Sequence, residues 1–141
     1  MEMSAATVIR RSPETVYRFV ADPSNDVQWR AGVTESGLTS DPPLGLGSEG
    51  YARAGKAVTH WRVVDIDPGS SMDWELTEGP FGGSGGYRLE PVDGNTRFTL
   101  IADVEPRGIY RLLGPLFGRL GRKQNQADVD KLKELLEAPS A

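Results

Sequence analysis

His60 and Arg62 stand two residues apart, and alternation along an extended strand would put both on one face. His60 is the only histidine, so it is the one side chain that titrates near neutrality without help from its surroundings. Inside a pocket it would serve as a general acid or base in a cyclisation or dehydration. Arg62 carries a charge that tolerates burial only beside a partner, either a carboxylate of the protein or one on a ligand. Val64 and Ile66 continue the same parity, and if they face the interior they carry His60 and Arg62 inward with them. Two plainer readings stand beside this one. A lone histidine next to Trp61 is commonly a packed strand residue, and a bulge would let Arg62 reach solvent along its apolar stem.

Other chemistries are excluded by count or context. There is no cysteine, which removes disulfides, thiolate zinc sites and cysteine nucleophiles together. One histidine does not make a histidine-based metal site, and no carboxylate spacing matches a calcium loop. No cofactor is expected. No serine can be paired by spacing with a base and an orienting carboxylate. The glycine-rich run from Gly79 to Gly86 resembles a phosphate cradle in composition only. It lies between two strand-like segments, and no Gly-Lys-Ser/Thr follows it. It reads as a flexible hairpin loop, placed to gate a cavity mouth.

The elements that must position these residues follow from punctuation and periodicity. A first strand runs from about Met3 to Arg10, and Ser12-Pro13-Glu14 then starts a helix whose apolar face is Val16, Tyr17, Phe19 and Val20. Asp22, held extended before Pro23, ends it near Ala21, and a second short helix spans Ser24 to Trp29. Strands are expected at Val33–Leu38, Ser48–Ala54, Val58–Asp67, Ser71–Thr77, Gly86–Pro91 and Thr96–Glu105. Turn residues such as Asp67-Pro68-Gly69 and Asp93-Gly94-Asn95 join them into an antiparallel meander. From Gly108 to Glu137 the spacing becomes helical, with a break at Gly114-Pro115. Beyond the break the stripe shifts. Leu113, Leu116 and Leu120 share one face, while Val129, Leu132 and Leu136 lie more than a quarter turn away. The first set reads as a lid over the sheet, and the second as an anchor on the sheet or the face of a homodimer.

At 141 residues the chain fits one domain with a core that needs no covalent staple. A net charge of -4 with both signs interspersed argues against a nucleic-acid partner, and Arg119, Arg122 and Lys123 read as a solvated helix face. The N-terminal residues lack a basic, apolar signal pattern, and no apolar run approaches the roughly 18 residues of a membrane span. A cytoplasmic protein without stable membrane insertion is the expectation.

The run Ser12-Pro13-Glu14-Thr15-Val16-Tyr17-Arg18-Phe19-Val20-Ala21-Asp22-Pro23, with Trp29 following, resembles the opening of the polyketide cyclase/dehydrase group of the START-like (SRPBCC) superfamily. Val63-Val64-Asp65-Ile66-Asp67-Pro68 is similar to that group's strand end before a turn, and Gly82 to Pro91 with Gly94-Asn95-Thr96-Arg97 to its glycine-led hairpin. The resemblance implies an α+β helix-grip fold, a curved antiparallel sheet of about seven strands wrapped around a long C-terminal helix, with two short helices after the first strand. It also implies an apolar cavity between sheet and helix, although fold alone does not choose an activity.

With that cavity in view, strand alternation places Met72, Trp74, Leu76, Tyr87, Leu89, Phe98 and Leu100 inward, and the helix adds Leu113, Leu116, Phe117 and Leu120. Tyr51, His60 and Arg62 would supply its polar contacts. The expected function is binding of a hydrophobic or aromatic small molecule, polyketide- or lipid-like. The alternatives are an aromatase/cyclase-type enzyme and a protein-interaction module.

Overall fold

The computed structural model describes residues 1–139. Strand β1 (Ala5–Ile9) leads into helix α1 (Pro13–Val20), whose start is set by chemistry the sequence carries. Ser12 is extended and its hydroxyl accepts from the Thr15 amide at 3.3 Å, with Pro13 in the first turn and Glu14 at the positive end of the dipole. Asp22 then accepts from the Ser24 amide at 3.0 Å and opens a 3₁₀ turn, Pro23–Asn25, that runs into the single-turn helix α2 (Asp26–Trp29).

Six further strands follow, β2 (Val33–Leu38), β3 (Glu49–Ala54), β4 (Ala57–Asp67), β5 (Ser71–Glu78), β6 (Phe81–Val92) and β7 (Asn95–Pro106). They form one curled antiparallel sheet in the order β1-β7-β6-β5-β4-β3-β2. The first and last strands therefore pair, Thr7 facing Phe98, and α1 and α2 carry the chain from one edge of the sheet to the other. A 3₁₀ segment (Gly108–Leu113) ends at Gly114, whose φ of 54° suits only a residue without Cβ, and Pro115 opens helix α3 (Pro115–Glu137). The expected break is there, and it is a change of element rather than a bend inside one. The helix-grip expectation holds.

Two details of the sheet differ from what the sequence leads one to expect. Val63 faces Trp74 and Asp65 faces Asp73, so Val64 is an extra residue in β4. This bulge lets Val63 and Ile66 both pack inward while Val64 is 44% exposed. Thr59, Trp61 and Val63 then share the inner face, and His60 and Arg62 turn outward. The glycine-rich run is also not a loop. Only Gly79 and Pro80 turn the chain, and Gly82 to Gly86 lie within β6. The bare strand makes room for an aromatic, since a Cβ on Gly85 would come within 2.8 Å of the Trp74 indole.

The core is packed solid at one end of the grip. Ile9, Val16, Val20, Val63, Phe98, Val129 and Leu132 have essentially no exposure there. Burial of one such side chain is worth about 1.5–3 kcal/mol. Val129 and Leu132 anchor α3 on the sheet, so they are not a dimer face, and Leu136 packs beside them. Gly118 and Gly121 let the front half of α3 approach Met1 and Met3 of the N-terminal segment. The stripe expected to form the lid points the other way. Leu113, Leu116 and Leu120 face solvent, because the N-terminal segment and the cavity occupy the opposite face of that turn.

Candidate functional site

Beyond the packed end, the sheet and α3 diverge around a cavity of about 400 Å³. That volume falls within the range of small-molecule sites. Its walls are mainly apolar: Trp61, Met72, Trp74, Leu76 and Tyr87 from the sheet, Phe81 at the start of β6, and Phe117 from α3. Tyr87 meets Trp74 edge-on at 4.8 Å between ring centroids and Phe98 at 5.4 Å, so it joins the cavity wall to the packed core. Phe81 and Phe117 are 5.4 Å apart and close the end toward the 3₁₀ segment. A broader depression among Tyr17, Leu38, Leu44 and Pro68 lies on the outside and is open to solvent.

One side of the cavity is polar, and it is built where α2 meets α3. Asp128, buried on α3, accepts from Arg30 Nε at 3.0 Å, from the Ala31 amide at 3.0 Å and from Gln124 Nε2 at 2.8 Å. Asn125 beside it donates to the Met3 carbonyl at 2.7 Å. Arg30 lines the cavity with its charge already matched, and its guanidinium lies 5.2 Å from the Trp29 ring.

Asp26 is different. It also lines the cavity, and its Oδ1 is buried without a hydrogen-bond partner among the described residues. Burial pushes its carboxyl up to about 6, with Arg30 opposing and Asp22 and Asp128 adding to the rise. Burial also holds the Tyr87 hydroxyl well above its usual range, with the nearby Asp26 charge reinforcing it. The site therefore offers a neutral phenol and a carboxyl that exchanges its proton close to physiological pH. Such a carboxyl both donates and accepts, which is the property a general acid or base needs.

Residues 1–137 match the family described as polyketide cyclase / dehydrase and lipid transport. The chain belongs to that family. Solved structures of the same shape include a Thermus thermophilus protein, 22% identical, with each chain covered over 100% and a TM-score of 0.84. A START superfamily protein from Mycobacterium smegmatis is 17% identical, covering 96% of this chain and 97% of that one at a TM-score of 0.83. The Zhui aromatase/cyclase of a Streptomyces species is 16% identical, covering 97% and 93%, with a TM-score of 0.77. These likenesses establish the fold that this family member shares with them. Among curated proteins, none matches the chain.

Of the residues singled out in the sequence, Met72, Trp74, Leu76, Tyr87, Leu100 and Phe117 lie in the cavity wall. Leu89 and Phe98 face inward but belong to the packed core. Tyr51, His60 and Arg62 are elsewhere. Tyr51 donates to Glu35 at 2.6 Å on the outer face, His60 sits across from it there, and Arg62 pairs with Glu75. The reason is the β4 bulge, together with the matching parity of β3 that sends Ala52 and Ala54 inward instead. Leu113, Leu116 and Leu120 are outside, as described above. Sequence reasoning missed Asp26 and Arg30. Their signal was a spacing of four residues, which sets both on one side of a single helical turn, with Trp29 beside them.

Proposed function

We propose that the protein binds an apolar or aromatic small molecule, polyketide- or lipid-like, in the cavity between the sheet and α3. The observation that carries this reading is Asp26 Oδ1, a buried polar atom without a protein partner at the edge of an aromatic-walled space of about 400 Å³. Buried polar atoms are ordinarily satisfied, and leaving one orphaned costs about 1–3 kcal/mol unless a ligand or solvent completes it. A ring or chain would lie against Trp61, Trp74 and Phe117, with its oxygen toward Asp26 and Tyr87. Thermal-shift screening with hydrophobic acids, aromatic polyketides and lipids tests the proposal. A saturable rise in unfolding temperature with one class is the expected result. No shift with any class, or a shift that persists unchanged when Ala102→Phe fills the cavity, would overturn it.

A second reading is an enzyme of the cyclase type, and the position of Asp26 is what favours it. A carboxyl near pH 6 beside a neutral tyrosine can direct proton transfer in a folded reactive chain, which His60 and Arg62 on the outer face cannot. Turnover of a poly-β-keto substrate with a pH profile breaking near 6, lost in Asp26→Ala, is the outcome this reading requires.

A further inference from the structure

The 3₁₀ segment and the first two turns of α3 present a run of apolar side chains that the fold leaves partly or largely exposed. Ile109 is 75% exposed, Leu112 85%, Leu116 45% and Leu120 49%, with Tyr110 and Leu113 beside them. Isolated exposed leucines need no explanation, but a run of six in one segment does. The same stretch is also distinctive in charge. Residues 106–127 contain Arg107, Arg111, Arg119, Arg122 and Lys123 and no Asp or Glu, in a chain whose net charge is -4. Among the described residues none of the five forms an ion pair with a carboxylate.

The two features share a face. At about 100° per residue, Leu116, Arg119, Leu120 and Lys123 fall within an arc of about 100° on the side of α3 away from the cavity. Gly118, Gly121 and Asn125 occupy the opposite, inward side. Cations flanking exposed leucines on a surface helix are the pattern that lies in the interface of an anionic membrane.

We propose that this segment docks the protein on the surface of an anionic phospholipid bilayer, with Leu112, Leu116 and Leu120 entering the interface and the flanking cations facing headgroups. Charge selects this occupant over a second copy of the chain. Two such faces brought together would oppose like charges, with no carboxylate in the segment to relieve them. The cations lie among leucines rather than along an open charged groove, which favours a bilayer over nucleic acid. The docking is peripheral, since no helix among the described residues is long and apolar enough to cross a membrane.

Co-sedimentation of the full chain with vesicles tests it, comparing phosphatidylcholine alone with phosphatidylcholine containing about 30% phosphatidylglycerol. The expected result is at least a roughly fivefold larger bound fraction on the anionic vesicles, falling severalfold at about 0.5 M NaCl. Leu116→Glu with Leu120→Glu, and separately Arg119→Glu with Lys123→Glu, are each expected to abolish binding while leaving the unfolding temperature unchanged. Equal binding to the two vesicle types, or binding retained in both variants, overturns the proposal. So does concentration-dependent dimerisation in light scattering that Leu116→Glu removes, because a second copy then covers the face.

Discussion

Arg30 and Asp128 form a 3.0 Å ion pair that joins α2 to α3 across the polar side of the cavity. Asp128 is almost wholly buried, and it also holds the Ala31 amide and the Gln124 side chain. Both the grip of α3 on the short helices and the neutrality of the cavity wall rest on this carboxylate.

Removing it should therefore be costly. Asp128→Ala leaves a half-buried guanidinium and a backbone amide without their acceptor, and breaking a buried pair from one side costs about 3–5 kcal/mol. Denaturant unfolding of the variant should show a loss of that size. A loss below about 1 kcal/mol would mean that water replaces the carboxylate without penalty.

Asp26 gives the opposite sign. Its carboxyl rises from an ordinary 3.8 to about 6 on folding, so between those values the native state holds a proton that the unfolded chain has released. Stability falls as pH rises through that window and stays lower above it. Asp26→Asn should therefore stabilise the protein at pH values above about 6, by at most about 3 kcal/mol, and the gain should vanish below about pH 4. Thermal unfolding of both proteins across this range checks the prediction. Destabilisation by Asn above pH 6 would contradict it.

Gly85 is the third test. Any Cβ there meets the Trp74 indole, which must then swing into the cavity or push the strands apart. Gly85→Val should cost about 1–3 kcal/mol by overpacking and weaken ligand binding further than it weakens the fold. Calorimetric titration alongside denaturant unfolding separates the two effects.

The two leucine stripes of the C-terminal segment should behave oppositely. Leu132→Ala removes a fully buried side chain and should cost about 2–5 kcal/mol, whereas Leu116→Ala, nearly half exposed, should change stability by less than about 0.5 kcal/mol. Chemical denaturation of both variants measures it directly.

The fold was legible in the sequence because its signals are local. The Ser12 cap, the proline after Gly114 and the turn residues between strands each fix an end without reference to distant contacts. The candidate site was legible only where alternation runs unbroken. Met72, Trp74 and Leu76 on β5 face the cavity as their spacing says. On β4 the extra residue at Val64 reverses the parity, and a bulge is a property of the strand pairing that the β4 sequence does not announce. The Leu113, Leu116 and Leu120 stripe misled for a related reason. Apolar periodicity identifies a face, but which face the fold covers is decided by Met1 and Met3 arriving on the other side. Asp26 escaped notice because a single acidic residue in the first turn of a helix ordinarily serves the dipole, and its burial comes from tertiary packing.

The central claim, that the cavity is a ligand site, meets its most direct test in NMR titration with a small aromatic alcohol such as 1-naphthol. Trp61 and Trp74 line the cavity while Trp29 is packed in the core, so the three indole N–H signals report on different places. The account predicts saturable shifts at Trp61 and Trp74, with little change at Trp29, and their loss in a folded Ala102→Phe variant. Shifts that are absent, or that persist unchanged when the cavity is filled, would contradict it.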